Sequence, residues 1–455
     1  MTSTFEDIRS KIRGAVITEG DPGYDEARKV YNGMHDRRPA RVVRPVDRDD
    51  VVAALRLARE AGGDISVRGG GHSAPGFGTN DGGTVIDLSL LKDVHVDPRA
   101  RTARTGGGCT WGVFNDATHA HGLATTGGVV STTGIGGLTL GGGIGYLARS
   151  AGLSIDNLLS AEVVTADGAV LRASERENED LFWALRGGGG NFGIATELEY
   201  RLHPVPDVLV GIFVFPLEQT RALFQFYREF IRTAPEQLGA FPAVLIAPPL
   251  PFLPESAHGT KKCAVVACWA GPLDQGEAAM APIRQVAATV GEMVAPMPYP
   301  AINSLFDALL PPGMLQYWKG TFSKDLTDGA IDAHVEHGAG VPTVNTAIHV
   351  YPINGAVSRV APDATAFPYR DATFATVVAT VWSDPADTER NIAWTRAYYQ
   401  ALAPHGEPGT YINFMDGDEG ARVKDSYRGI YDRLVAVKRK YDPENVFHRN
   451  QNIKP

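Results

Sequence analysis

Val67-Arg68-Gly69-Gly70-Gly71-His72-Ser73 sets a histidine directly after a turn made only of glycine. Glycine adopts positive φ at little steric cost, so three in a row allow backbone N–H groups to converge on an anion such as a pyrophosphate. A histidine at this place stands beside the ligand. The alternative is a tight turn followed by a surface histidine, and the segments downstream decide between the two.

The composition is that of a globular protein with a substantial core. The chain has 455 residues, of which 44% are hydrophobic, so we expect two or three domains. A formal net charge of −9 without a basic run argues against nucleic acid or an anionic membrane as partner. The N-terminus lacks the apolar core of a signal peptide, and no window of about 18 apolar residues could span a bilayer. These features predict a cytoplasmic protein.

The three cysteines suggest neither a disulfide framework nor a metal site. Their number is odd, and Cys263 and Cys268 lie five residues apart in an apolar run where a strand would point them to opposite faces. The third, Cys109, stands alone in the sequence.

Short strands and glycine turns alternate in the first half of the chain. Asp167-Gly168 predicts the turn of a hairpin. Asp49 or Asp50 is predicted to cap one helix and Thr110 another. The strands predicted here are 64–67, 84–88, and the hairpin pair 162–165 and 169–173.

From about Val208 the glycine content falls, and amphipathic helices alternate with apolar strands. This pattern predicts a second, α+β domain over 206–405, after a first domain over 36–205. The C-terminal segment 406–455 returns to the glycine- and asparagine-bearing pattern of the first. The elements predicted in these parts are helices over 217–232, 275–290 and 425–440 and strands over 264–269 and 374–382.

Two glycine clusters match the Rossmann fingerprint only superficially. Gly188-Gly-Gly190-Asn-Phe-Gly193 follows a predicted helix and precedes a predicted strand, whereas the dinucleotide fold requires strand, glycine turn and then helix. The segment 143–148 also matches, but it lies in the glycine run 134–145 with no clear strand before it. We expect this run to wrap its backbone around a large flat cofactor, the alternative being a flexible loop.

Several motifs follow one another in a specific order. They are Arg68-Gly-Gly-Gly-His72-Ser, Asp81-Gly-Gly-Thr-Val-Ile-Asp-Leu-Ser89, the glycine run ending at Tyr146, Gly152-Leu-Ser-Ile-Asp-Asn157, Asp180 to Gly193, and Tyr441-Asp-Pro-Glu-Asn-Val-Phe-His-Arg-Asn450. Together they resemble the berberine bridge enzyme-like FAD-linked oxidases of the vanillyl-alcohol oxidase superfamily, and especially the bacterial branch of nicotine, aclacinomycin and oligosaccharide oxidases. The resemblance implies an α+β fold, in which a PCMH-type FAD-binding domain of two α/β subdomains is joined to a substrate domain whose sheet covers the flavin.

The resemblance also implies that FAD is bonded covalently to a ring nitrogen of His72 through its 8α-methyl group. Many relatives carry a second link from a cysteine, and Val130 occupies that position here. Valine cannot form this bond, so we expect a single histidyl link and no cysteinyl link. Cys109, the nearest cysteine in sequence, is the alternative anchor.

The same family pattern places the other FAD contacts. The backbone of 68–73 should hold the pyrophosphate, while the glycine run, Asp156-Asn157 and the turn at 191–194 should line the ring and the adenosine. Thr133 has the shape of the valine that relatives with oxidase activity carry near the oxygen-reactive carbon, which favours O2 as acceptor. The implied FAD-binding residues are Arg68, Gly69, Gly70, Gly71, His72, Ser73, Gly76, Thr133, Gly136, Gly137, Leu138, Gly142, Gly143, Tyr146, Asp156, Asn157, Gly193, Ile194 and Asn413.

The implied catalytic base is Tyr411, in a Tyr-x-Asn motif. Because a tyrosine has an ordinary pKa of about 10, it needs a nearby cation or donor to act as a base at neutral pH. Lys319 is the candidate cation, and Tyr369 is expected to line the same cavity. Val378 takes the place of the carboxylate that alkaloid-cyclising plant members use, which favours alcohol, hemiacetal or amine oxidation.

These observations predict an FAD-linked oxidase that acts on a small molecule and produces hydrogen peroxide. A flavin dehydrogenase or an oxygenating flavoprotein of natural-product biosynthesis is the alternative among enzymes. A flavin-binding or redox-sensing protein without turnover is the alternative of another class.

Overall fold

The computed structural model describes residues 9–455, and the strands in this range form four sheets. The strands are β1 Ala15–Thr18, β2 Arg41–Arg44, β3 Ile65–Arg68, β4 Thr84–Asp87, β5 Val94–Asp97, β6 Thr102–Gly106, β7 Leu123–Ala124, β8 Leu158–Val164, β9 Val170–Ser174, β10 Ile194–Arg201, β11 His203–Pro204, β12 Asp207–Pro216, β13 Leu238–Ile246, β14 Lys261–Trp269, β15 Gly291–Pro298, β16 Leu315–Ser323, β17 Ala347–Pro352 and β18 Phe374–Trp382. The α-helices are Tyr24–Ala27, Arg48–Ala61, Trp111–His119, Ile135–Gly141, Ala148–Ala151, Ser154–Asn157, Glu179–Leu185, Thr220–Thr233, Leu273–Met280, Tyr299–Asn303, Asp328–Gly338, Thr388–Leu402, Val423–Ser426 and Tyr431–Tyr441. No helix of residues 9–455 has both the length and the apolar character that a membrane crossing requires.

The first sheet positions the glycine turn. Its order is β1-β2-β4-β3, with β2, β4 and β3 parallel, and β3 leads directly into the turn at residues 69–71. β1 lies upstream of residue 36, where we expected the first domain to begin, and pairs with β2.

The helix Arg48–Ala61 packs on this sheet and begins two or three residues earlier than predicted. Its N-cap is Asp47, whose side chain accepts the backbone N–H of Asp50 at 3.1 Å. Neither Asp49 nor Asp50 is the cap, because Asp50 uses its own carboxylate to accept the N–H of Gly14 at 2.8 Å.

The second sheet has the order β5-β6-β10-β8-β9 and contains the predicted hairpin, β8 with β9. The glycine cluster at 188–193 lies between the helix Glu179–Leu185 and β10, the opposite of the Rossmann order, as predicted. Thr110 precedes the helix Trp111–His119 as its N-cap residue, but its side chain makes no capping hydrogen bond.

The glycine run at 134–145, which we expected to wrap its backbone around a flat cofactor, contains an α-helix, Ile135–Gly141. Ile135 and Leu140 are buried, and they anchor the helix in the core of the second sheet. The glycines allow close contacts on its other sides: a Cβ at Gly141 would lie 2.2 Å from Oδ1 of Asn413. Tertiary packing therefore outweighs the low helix propensity of glycine.

The largest sheet has seven antiparallel strands in the order β15-β12-β14-β13-β17-β18-β16. The predicted strands at 264–269 and 374–382 are its β14 and β18. Helices Thr220–Thr233, Asp328–Gly338 and Thr388–Leu402 contribute buried residues to the core on one face. The other face is turned toward the glycine turn of the first sheet.

Two predicted helices of the second half are shorter than expected. The helix predicted over 275–290 ends at Met280, because Pro282 has no N–H to continue the hydrogen-bond ladder, and β15 follows at Gly291. The helix predicted over 425–440 is broken at Arg428, which has a φ of 45°, and resumes over Tyr431–Tyr441.

The C-terminal segment packs on the second sheet and its helices. Met415, Tyr427 and Leu434 share a core with Phe182 and Trp183. The last fifty residues therefore close over the glycine-rich half of the chain.

Candidate active site

A cavity of about 400 Å³ lies between the seven-stranded sheet and the glycine turn. Successive side chains of a strand point to opposite faces, so alternate residues of six strands reach it. These residues are Ile212 and Val214 of β12, Ala243 and Leu245 of β13, Ala264 and Val266 of β14, Gln316 and Trp318 of β16, Ala347, His349 and Tyr351 of β17, and Val377, Ala379 and Val381 of β18; Val244 of β13 lines the cavity as well. The opposite wall consists mainly of backbone from 67–75, 128–138 and 189–190.

His72 lines this cavity with its ring held in place on two sides. The ring stacks on Tyr31, with centroids 3.7 Å apart and planes 22° from parallel, and Nε2 lies 2.9 Å from Oγ1 of Thr132. Burial lowers the pKa of His72 to about 3. The imidazole is therefore neutral at physiological pH, with one unprotonated nitrogen available as a nucleophile.

The glycines of the opposite wall have two separate uses. A Cβ at Gly70 would lie 2.3 Å from the backbone nitrogen of Gly134, so the turn is pressed against the start of the helix Ile135–Gly141. Gly137 and Gly190 also line the cavity, but a Cβ at either would meet no atom within 4 Å. Because neither glycine carries a side chain, a flat ligand has room to lie along the backbone at these two positions.

Tyr411 and Asn413 line the cavity together, as the Tyr-x-Asn motif predicts. The hydroxyl oxygen of Tyr411 accepts hydrogen bonds from the N–H of Gly143 at 2.7 Å and from Nδ2 of Asn413 at 2.8 Å. Burial raises the pKa of Tyr411 to about 12, and these two donors oppose the shift. At neutral pH the side chain is a phenol and a hydrogen-bond donor.

Lys319 does not reach Tyr411, which corrects the expectation that it supplies the cation. It lies on the face of β16 opposite Trp318, and its Nζ forms ion pairs with Asp418 and, at 3.1 Å, with Glu419. Val378 is its cross-strand partner on β18 and also faces away from the cavity. A carboxylate at position 378 would therefore point into the core on the other face and not into the cavity.

Tyr369 is a packing residue and does not line the cavity, contrary to expectation. Its ring stacks on Phe322 at 4.3 Å, and the guanidinium of Arg428 lies 3.9 Å from the ring centroid. Its hydroxyl donates to the backbone oxygen of Asp425 at 3.0 Å. The side chain thereby joins the seven-stranded sheet to the C-terminal segment.

The residues expected to bind FAD divide into two groups. Those that line the cavity are Arg68, Gly69, Gly70, Gly71, His72, Ser73, Thr133, Gly137, Leu138 and Asn413. Those that do not are Gly76, Gly136, Gly142, Gly143, Tyr146, Asp156, Asn157, Gly193 and Ile194.

Asp156 and Asn157 have structural partners instead of a place at the cavity. Both oxygens of Asp156 accept from the guanidinium of Arg370, at 2.8 and 2.7 Å, in a buried bidentate ion pair. Asn157 donates to the carbonyl of Leu153 and bonds to Nε2 of His203. Both side chains are therefore engaged by the protein itself, and their place beside the flavin ring or the adenosine stays a prediction.

The polar residues of the sheet wall were not predicted from the sequence. His349 and Tyr351 line the cavity, and Nδ1 of His349 lies 2.7 Å from the Tyr351 hydroxyl. Gln316 and Trp318 also line it, and the side-chain nitrogens of both are buried without a partner. The available signal was the alternation of His349 and Tyr351 with apolar residues in the segment 347–352.

Family models match two parts of the chain. A model described as FAD binding domain matches residues 39–174, and a model described as berberine and berberine like matches residues 410–454. The first match contains His72 and the glycine turn, and the second contains Tyr411 and Asn413.

Relatives match almost the whole chain. An FAD-linked oxidoreductase of Dictyostelium discoideum is 31% identical over 100% of this chain and 97% of its own length. The (R)-6-hydroxynicotine oxidase of Paenarthrobacter nicotinovorans is 31% identical over 98% of this chain and 97% of its own length.

Solved structures share the fold. That of 6-hydroxy-D-nicotine oxidase from Arthrobacter nicotinovorans matches with a TM-score of 0.86 and 28% identity over 100% of both chains. Glucooligosaccharide oxidase from Acremonium strictum, described with a 6-S-cysteinyl, 8α-N1-histidyl FAD, matches with a TM-score of 0.86 and 26% identity over 98% of this chain and 99% of its own. The expected PCMH-type FAD-binding fold is thereby confirmed.

FAD fits the residues that line the cavity. The backbone at Gly137 and Gly190 is open to a flat ring, and His72 presents a neutral imidazole to the same space. The chain belongs to the berberine bridge enzyme-like family of FAD-linked oxidoreductases.

Proposed function

We propose that this oxidoreductase carries FAD bonded to His72, oxidises a small alcohol, hemiacetal or related molecule, and uses O2 as electron acceptor. The observation that carries the proposal is that His72 and Tyr411 line one cavity. Bound FAD supplies a two-electron acceptor for a substrate hydride, and its reaction with O2 yields hydrogen peroxide. The relatives named as oxidases support this assignment.

The covalent link is proposed to be single. Val130, where many relatives have a cysteine, lines the cavity and has no group that can bond to a flavin. Cys109 is fully buried, does not line the cavity, and donates its S–H to the carbonyl of Thr110 at 3.3 Å. Burial also raises the pKa of the Cys109 thiol, so its reactive thiolate is scarce. His72 is then the anchor.

Tyr411 is proposed to contact the reacting group of the substrate. Its O–H can donate to a substrate oxygen while its own oxygen keeps the two donors from Gly143 and Asn413. The same two donors stabilise the phenolate when the pH is high enough to form it. Because Lys319 is paired with Asp418 and Glu419, a cation that would let Tyr411 act as a base at neutral pH has to come from another group.

Oxygen is the proposed acceptor because Thr133, with the shape of valine, lines the cavity. A dehydrogenase is the second candidate, because the hydroxyl of Thr133 makes it more polar than the valine of oxidases. The two differ in how fast air reoxidises the reduced flavin.

Replacing Thr133 tests the choice of acceptor. We expect stopped-flow mixing of reduced protein with air to give fast reoxidation and one hydrogen peroxide per flavin. Thr133→Leu fills the same space with a larger side chain and should slow reoxidation at least about tenfold while leaving anaerobic reduction unchanged. Slow reoxidation of the unmodified protein would favour the dehydrogenase.

A further inference from the structure

We infer that the substrate is a neutral, largely apolar molecule with a hydroxyl group, and that His349 and Tyr351 hold this hydroxyl. The inference rests on the proposed function and names its substrate class. It concerns the sheet wall of the cavity, which no part of the FAD assignment uses.

The sheet wall is mostly apolar. Eleven of the fifteen strand residues that line it are aliphatic: Ile212, Val214, Ala243, Val244, Leu245, Ala264, Val266, Ala347, Val377, Ala379 and Val381. Leu250, Leu253, Leu305 and Phe306 extend the apolar surface from neighbouring loops. A sugar chain would lose hydrogen bonds to water on entering this space and would find few replacements, whereas an apolar ring or chain gains by burial.

The lining within residues 9–455 contains no aspartate, glutamate or lysine. Its two arginines are on the glycine side and are already engaged. Arg68 forms an ion pair with Asp87 at 2.8 Å, and Arg449 donates to the carbonyl of Thr79 at 2.9 Å. A charged substrate would therefore lose its hydration at the sheet wall without gaining a counter-ion, which selects for a neutral one.

The wall has two polar features: the side-chain nitrogens of Gln316 and Trp318, which can only donate, and the His349–Tyr351 pair. Both side chains are nine-tenths or more buried, and the 2.7 Å contact between Nδ1 and the hydroxyl is the hydrogen bond that joins them. If the tyrosine donates, Nε2–H is left as a donor and the phenol oxygen as an acceptor. If Nδ1–H donates, Nε2 is the acceptor and the phenol O–H the donor. In either tautomer the pair offers one donor and one acceptor, which matches a hydroxyl group.

Aromatic rings surround this pair. The Phe241 centroid lies 4.8 Å from both His349 and Tyr351, and Phe306 lies 5.5 Å from His349. Phe414 connects Tyr351 to Tyr411, at 6.2 and 4.8 Å. Of these rings, Phe306 and Phe414 line the cavity, so a ring of the substrate can pack against them while its hydroxyl meets the polar pair.

A series of probes with one ring and one hydroxyl tests the inference. The probes are 1-phenylethanol, mandelate, which has a carboxylate in place of the methyl group, and 2-amino-1-phenylethanol, which adds an ammonium group; cellobiose represents sugars. Titration calorimetry on the purified holoprotein, together with the shift of the flavin visible spectrum, gives each Kd. We expect 1-phenylethanol to bind at least about tenfold more tightly than the other three. Equal or tighter binding of mandelate, the ammonium compound or cellobiose would overturn the inference.

A second buried pair provides a matched control for the polar residues. Nδ1 of His334 lies 2.7 Å from the Tyr398 hydroxyl, in the core on the other face of the sheet. We expect His349→Gln to keep part of the affinity for 1-phenylethanol. Ethylbenzene lacks the hydroxyl and serves as the reference ligand. Tyr351→Phe should weaken the binding of 1-phenylethanol at least about fivefold more than it weakens the binding of ethylbenzene. Tyr398→Phe should change neither the affinity for 1-phenylethanol nor the affinity for ethylbenzene. Unchanged binding in both His349→Gln and Tyr351→Phe would contradict the assignment.

The outcomes separate this inference from the proposed function. If the holoprotein binds 1-phenylethanol as expected but no probe reduces the flavin, the binding assignment holds and the oxidase proposal fails. If cellobiose or mandelate reduces the flavin and binds more tightly, the oxidase proposal holds and the substrate class is wrong.

Discussion

At the scale of single residues, burial decides the chemistry of the cavity. His72, half-buried at the cavity wall, has its pKa lowered by desolvation and is neutral, and desolvation of the buried Tyr411 raises its pKa and keeps it protonated. The sequence identified both positions through their motifs. It could not predict that Lys319 faces away from Tyr411, because that depends on which face of β16 is turned inward.

Tyr411 should give the rate of flavin reduction a characteristic pH dependence. Its pKa is raised to about 12, so the fraction of phenolate, and any rate that needs it, rises about tenfold per pH unit below that value. We expect anaerobic stopped-flow reduction by an alcohol to accelerate from pH 7 to 10 without a plateau. Tyr411→Phe should abolish this rise, whereas Tyr427→Phe, at a buried tyrosine outside the cavity, should preserve it. A plateau near neutral pH in the unmodified protein would point to a different base.

The Asp156–Arg370 pair should matter for stability and not for FAD attachment. Asp156→Asn leaves the buried guanidinium of Arg370 without its counter-ion, which should cost about 3–5 kcal/mol in the free energy of unfolding. The exposed pair of Lys324 and Asp371 is the control, since Lys324→Gln should leave the free energy of unfolding almost unchanged. Urea unfolding measures both. If Asp156→Asn lost its FAD while its free energy of unfolding stayed unchanged, the result would support the FAD-binding role that the motif implies for Asp156.

At the scale of elements, local signals predicted strands better than helix ends. The hairpin of β8 and β9 and the strand β18 were predicted because turn residues and apolar runs are local features. The helix Ile135–Gly141 was not, because its stability comes from buried contacts that its glycines make with distant segments. The cavity-lining residues of the sheet were not predicted, because the alternation of residues along a strand does not indicate which face of the sheet lines the cavity.

A substitution at Gly137 tests whether the flavin lies along the helix Ile135–Gly141. In the protein alone a methyl group there meets no atom within 4 Å, and alanine favours a helix over glycine by about 1 kcal/mol. We expect Gly137→Ala to keep or raise the melting temperature and to lower the FAD content of the purified protein. Gly420→Ala is the control, because it is equally open but lies outside the cavity. Normal FAD content in Gly137→Ala would show that the flavin ring does not lie along this helix.

At the scale of the whole molecule, the cavity exists only where the two halves of the chain meet. The glycine-rich half contributes His72, the sheet contributes the apolar wall, and the C-terminal segment contributes Tyr411. The family and its cofactor could be predicted from the sequence because the glycine motifs are contiguous. The substrate wall could not, because its residues come from six strands spread over 212–381.

The covalent link at His72 is the central claim, and the mass of the denatured protein tests it most directly. We expect the acid-precipitated protein to stay yellow and to be heavier than the polypeptide by one FAD, because the flavin is bonded to the chain. His72→Ala should release its FAD into the supernatant, and Cys109→Ser should retain it. Release of FAD from the unmodified protein, or its retention by His72→Ala, would contradict the account.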